Sequence, residues 1–99
     1  MNEFLIIYDL PIEFDESFMM LIPQHRLRIN QLLDEGIIKS YSLSADRSKL
    51  WMVIDVDGEN DIKELLDSLP LQHKMLNYEI VPLMFNQVSA PGLPTLSLN

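Results

Sequence analysis

Ninety-nine residues, 47% hydrophobic and 22% charged, make one globular domain rather than two domains or a disordered chain. Fifteen acids against seven bases leave a net charge of −8, which argues against nucleic acid and anionic membrane as partners, since both need a positive field. The absence of cysteine excludes disulfides, thiol catalysis and thiolate metal sites.

Residues 3–10, EFLIIYDL, are rich in β-branched and aromatic side chains and stop at Pro11, so they read as a strand. The same apolar run is too short for a signal peptide and has no bases before it, and no stretch approaches a membrane span. A cytoplasmic protein is the expectation. Glu13, Asp15 and Glu16 then place negative charge where a helix start favours it, with Asp15 or Ser17 as N-cap. The helix runs to Glu35 and stops at Gly36, and its apolar stripe is Phe18, Ile22, Ile29, Leu32 and Leu33. His25 falls on that stripe. Pro23 conflicts with a helix interior and requires either a separate first turn or a kink.

Residues 37–44 read as a more polar strand, 45–48 as a turn, and 49–57, KLWMVIDVD, as a strong strand. A second helix over 60–68 carries Ile62, Leu65, Leu66 and Leu69 at helical spacing and ends at Pro70. Residues 77–85 form the last strand, and Pro82 assigns it to a sheet edge because proline cannot donate to a ladder. The tail from Asn86 to Asn99 carries Pro91, Gly92 and Pro94 and reads as irregular, either frayed or laid on a neighbouring subunit.

The order is βαββαβ, the split βαβ of ferredoxin-like α+β domains. Right-handed crossovers put the first and third strands in the centre of an antiparallel four-stranded sheet, with both helices on one face. Both central strands are apolar on both sides: Phe4, Ile6 and Tyr8 against Leu5 and Ile7, and Leu50, Met52, Ile54 and Val56 against Trp51 and Val53. A sheet covered on one face should alternate apolar with polar. Two helices cover one face only, so the pattern predicts a homodimer through the other.

Leu65-Leu66-Asp67-Ser68-Leu69-Pro70-Leu71, then Met75 and Tyr78-Glu79-Ile80-Val81-Pro82-Leu83, resembles the end of the muconolactone isomerase family. Leu33-Asp34-Glu35-Gly36 and Ile54-Asp55-Val56-Asp57 fit the same pattern, so the likeness spans roughly residues 3–85. The resemblance implies the dimeric α+β barrel, higher assemblies with exchanged tails, and a proton shift on a lactone without metal or organic cofactor. It also implies a carboxylate in helix one and a histidine before strand three as active-site groups. Those two positions are occupied here by His25 and Arg47.

His25 is therefore the candidate general acid or base, since histidine titrates near neutrality; the alternative is a core histidine bonded to a backbone carbonyl or to Tyr8. Five of the seven bases lie between Arg26 and Lys49, and Arg26 and Arg47 are candidates to hold a carboxylate of a small anionic substrate. Tyr8, Tyr41 and Trp51 are candidate pocket-wall or ligand-orienting residues, with packing as the plainer role. His73 falls in a turn, and two histidines without a third ligand make no metal site. Two functions follow: a cofactor-free isomerase or lyase of small anionic or lactone-like molecules, or a non-catalytic binding or assembly protein on the same scaffold. A cofactor-free monooxygenase of the same superfamily shares the fold.

Overall fold

A computed structural model describes residues 2–89; the tail expectations for 90–99 lie outside the described residues. The elements are β1 (Asn2–Asp9), α1 (Glu16–Asp34), β2 (Ile38–Leu43), β3 (Lys49–Val56), α2 (Glu59–Asp67), a single 3-10 turn (Gln72–Lys74) and β4 (Asn77–Pro82). The sheet order is β2-β3-β1-β4 with every pair antiparallel, the ferredoxin-like arrangement expected from the sequence. β4 is an edge strand and ends at Pro82, three residues short of expectation. Leu83 N–H still reaches Glu3 C=O at 3.0 Å, one residue past the strand.

Asp15 is the N-cap of α1, its carboxylate accepting the Phe18 N–H at 2.9 Å and the Ser17 hydroxyl at 2.8 Å. Those bonds hold the Asp15 carboxyl below its ordinary range, the Phe18 amide contributing most. The helix is continuous through Pro23, which settles the proline conflict without a separate first turn. Pro23 is exposed, and the Met19 carbonyl it leaves unpaired belongs to an exposed residue that water can reach. At the other end Gly36 sits at φ +75°, and Ile37 N–H to Leu32 C=O (3.0 Å) with Gly36 N–H to Leu33 C=O (3.1 Å) closes a Schellman motif. Leu33, expected on the apolar stripe, points away from the sheet and is exposed, because the stripe turns through Ile29 and Leu32 instead.

Phe4, Ile6 and Tyr8 of β1 and Leu50, Met52 and Ile54 of β3 face the helices and pack with Ile29 and Leu32 of α1 and Ile62, Leu65 and Leu66 of α2. The opposite face carries Leu5 across from Val53 and Val81, and Ile7 across from Trp51, none of it covered by the chain's own helices. Trp51 retains 37% of its surface. Between Ile38 and Ser40 the β2–β3 register shifts by one residue. Strict alternation would put Ile38 and Tyr41 on opposite faces; the bulge lets Ile38 sit opposite Ile54 and Tyr41 opposite Met52, both under α1.

Nothing lies within 4 Å of where a Gly36 Cβ would stand, so the cost of a side chain there is conformational alone. Gly36→Ala is expected to lower stability by about 1 kcal/mol through the left-handed backbone, measured as a drop in the urea midpoint with an unchanged m-value.

Candidate functional site

Two polar side chains are buried among the described residues, His25 on α1 and Gln72 in the 3-10 turn. His25 is 5% exposed, two turns along α1 from Phe18. Its Nδ1 accepts the Leu71 backbone N–H at 3.3 Å, and its Nε2 lies 3.0 Å from the Tyr41 hydroxyl. An Nδ1 that accepts carries no proton, so the neutral ring holds its hydrogen on Nε2 and donates it to Tyr41 Oη. Burial pushes the His25 imidazole down to about 4, which keeps it neutral near pH 7. Burial likewise pushes the Tyr41 phenol up to about 12. Among the described residues nothing accepts the Tyr41 hydroxyl hydrogen.

These two groups stand in the wall of a cavity of about 290 Å³ between α1 and the sheet. Its remaining lining among the described residues is almost wholly apolar: Leu10, Phe14, Phe18, Ile22, Leu43, Leu50, Leu71 and Met75, with Arg26 as the one charged residue. Arg26 and Tyr41 also line an adjoining groove with Ile29, Asn30 and Leu33. The Arg26 side chain is exposed and makes no ion pair or hydrogen bond among the described residues. The chemistry available is a neutral O–H donor at the end of an apolar pocket, with a cation at the rim.

The fold brings His25, Tyr41 and Arg26 together. Tyr8 lies elsewhere in the core: its hydroxyl donates to Gln72 Oε1 at 2.5 Å, and burial followed by the nearby Tyr78 and Tyr41 phenols raises its pKa. His25 thus bonds Tyr41 and a backbone N–H, rather than Tyr8 or a backbone carbonyl. Arg47 occupies the β2–β3 turn at φ +64° and lies with its guanidinium 5.9 Å from the Phe14 ring centroid, in a separate cavity of about 330 Å³ with Ile12, Glu13, Met19 and Asp46. The Asp46 carboxylate is taken by the Ser44 and Ser48 hydroxyls and the Ser48 N–H, which draw it down to about 2. Trp51 is on the open face of the sheet, away from the cavity. Two contributors escaped sequence reasoning. The Leu71 N–H is a backbone group with no sequence signature, whereas Phe14 had one: its spacing to Phe18, on which it stacks at 4.1 Å between centroids.

No protein-family model matches the chain, and no curated protein sequence does. Among solved structures, a crystal structure of muconolactone isomerase aligns over 90% of this chain and 94% of that one, with a TM-score of 0.69 and 22% identity. The chain has the muconolactone isomerase fold. On that fold β4, α2 and the leucine-proline segment stand as the sequence likeness implied, with Leu69 and Leu71 both buried. Among the described residues no helix is long and apolar enough to cross a membrane, and no group of acids and histidines is placed to hold a metal ion.

The neutral buried histidine gives a pH signature. The unfolded chain protonates His25 near 6.5 and the folded chain only near 4, so between those values the unfolded state binds more protons. The stability associated with His25 is complete above about pH 6.5 and lost as pH falls toward 4. His25→Asn is expected to flatten the fall in urea midpoint across that interval relative to wild type. Parallel curves for the two proteins would show that His25 does not titrate as its burial requires.

Proposed function

We propose that the chain is a cofactor-free isomerase of small, largely apolar molecules bearing a lactone, ketone or carboxylate oxygen. The observation that carries this is the buried His25–Tyr41 pair ending in an unspent O–H donor inside an apolar pocket. The Tyr41 O–H hydrogen-bonds the ligand oxygen and stabilises the negative charge that develops there when a neighbouring C–H ionises. Because His25 donates to Tyr41, the phenol becomes a stronger donor in turn. The His25 Nδ1, once released from the Leu71 N–H, takes the proton from one carbon, its imidazolium charge balanced by the oxyanion that forms on the ligand at Tyr41, and returns the proton to another carbon, leaving an isomer and an unchanged enzyme. Arg26 at the rim holds a carboxylate where the ligand has one.

A second reading is favoured by one feature: the Nδ1 lone pair is engaged by Leu71 N–H in the structure. Without its release the pocket binds and does not turn over. Both readings are tested by proton–deuterium exchange in D₂O, followed by NMR, on a panel of unsaturated lactones (muconolactone among them) and β,γ-unsaturated ketones. Wild type is expected to exchange and isomerise a member of the panel. Tyr41→Phe should slow this by about 10²–10³-fold, the usual loss for an oxyanion donor, and His25→Ala should abolish it. Binding with no exchange selects the non-catalytic reading, and exchange that survives both substitutions removes the pair from the mechanism.

The open sheet face supports self-association as part of this function. Leu5, Ile7, Trp51 and Val81 form an apolar band across three strands around the buried Val53, with Glu79 beside Ile7, and such a band suits a two-fold contact between identical chains. Sedimentation equilibrium is expected to give twice the mass of one chain for wild type, and Ile7→Lys with Trp51→Lys should halve it. A wild-type protein sedimenting as a single chain at high concentration would end the dimer proposal.

A further inference from the structure

Phe14 stands between two cavities. One holds His25 and Tyr41, the other holds Arg47, and Phe14 is the residue common to both linings. On one side its ring stacks on Phe18, with centroids 4.1 Å apart and planes 16° apart. Toward the other it meets the Arg47 guanidinium at 5.9 Å, a cation–π distance. Arg47 is itself held in position: its N–H bonds the Ser44 carbonyl at 2.9 Å, and the Ser44 hydroxyl accepts the Ser48 and Lys49 amides. The left-handed conformation of Arg47 is thus fixed by the turn around it.

The direction of the pocket gives this partition a meaning. Phe14 immediately precedes α1, and His25 lies on α1 seven residues beyond Phe18, about 10 Å along the axis. The pocket therefore extends from the Tyr41 donor at one end toward the Phe14 ring at the other. A ligand whose oxygen is seated on Tyr41 and whose body fills this cavity meets Phe14 in its wall. An apolar cavity of about 150 Å³ takes one benzene, so about 290 Å³ has room for a bicyclic body.

We propose that Phe14 is the specificity-determining wall of the site. It limits the ligand to a compact ring system and keeps Arg47 out of reach; displaced, it would join the two cavities and place Arg47 at the far end as a carboxylate partner. This rests on the His25–Tyr41 pocket being the ligand site. Phe14 lies in the connection between β1 and α1, half-buried and packed against the edge of the core rather than within it.

The test uses three probes with the same carbonyl head: 2-tetralone, 6-phenyl-2-tetralone, and the 6-(4-carboxyphenyl) derivative. Binding to wild type, Phe14→Ala, Phe14→Leu and the double variant Phe14→Ala with Arg47→Ala is measured by NMR titration. Wild type is expected to bind 2-tetralone and to disfavour both extended probes by tenfold or more. Phe14→Ala should reverse that preference for both, Phe14→Leu should do so in part, and Arg47→Ala should remove the gain for the carboxylate probe while sparing the neutral one. Phe14→Leu keeps an apolar side chain and serves where the alanine variant is destabilised. If 2-tetralone binds but the preference is the same in wild type and both Phe14 variants, the wall is refuted and the pocket stands. If 2-tetralone binds none of them, the pocket reading fails and the wall with it.

Discussion

The site depends on the direction of one hydrogen-bond chain. The Leu71 backbone N–H donates to His25 Nδ1, His25 Nε2–H donates to Tyr41, and the Tyr41 O–H is left to donate onward. Each link is set by the one before it. A backbone amide cannot reverse its polarity, so it fixes the imidazole tautomer, and the tautomer fixes which way the phenol points its hydrogen. Burial reinforces the order, because a protonated imidazole would have no acceptor for its Nδ1 hydrogen and little water to solvate its charge. The result is a neutral site that presents a donor, suited to an oxygen acceptor and poorly suited to a cation.

That chain exists only because the scaffold is irregular at one position. The bulge at Ile38–Ser40 rotates the remainder of β2 by one residue, so that Ile38 seals the core against Ile54 and Tyr41 still turns inward. Without it, Ile38 and Tyr41 could not both face α1, and either the core or the site would lose its residue. The same bulge sends Ser40 and Ser42 to the open face opposite Val53 and Trp51. The β2 edge of that face is therefore polar while its centre is apolar.

Much of the fold was legible in the sequence, because hydrophobic periodicity and punctuation carry it. The β-branched runs of β1 and β3, the Asp15 cap, the Gly36 stop and the edge proline Pro82 each specify a local choice, and the choices agree. The site was legible in part. His25 stood out because a polar residue on an apolar stripe must find partners, but which partners it finds depends on register. Tyr8 and Tyr41 are equivalent as aromatic residues on strands; the bulge and the 3-10 turn decide that Tyr8 meets Gln72 and Tyr41 meets His25. Arg47 and His25 stand at the positions where the family likeness implied catalytic groups, yet Phe14 separates their cavities. That separation arises from packing between a loop and a turn distant in sequence, for which local pattern offers no signal.

The remaining question is where a base would come from, since a proton shift needs an acceptor as well as a donor. Among the described residues no carboxylate lines the His25–Tyr41 pocket, and the neutral imidazole has one lone pair, at Nδ1. Its bond to Leu71 N–H, at 3.3 Å between nitrogens, is longer than the 3.0 Å link to Tyr41 and lies beyond the usual range for a strong N–H hydrogen bond. It is therefore the weaker end of the chain. Leu71 itself lines the pocket, between the end of α2 and the 3-10 turn, so a ligand pressing on that segment acts on the bond that holds the base. Acid and base functions then belong to opposite ends of one side-chain pair. The isomerase and binding readings differ in a single physical event, the release of His25 Nδ1 when the pocket is filled.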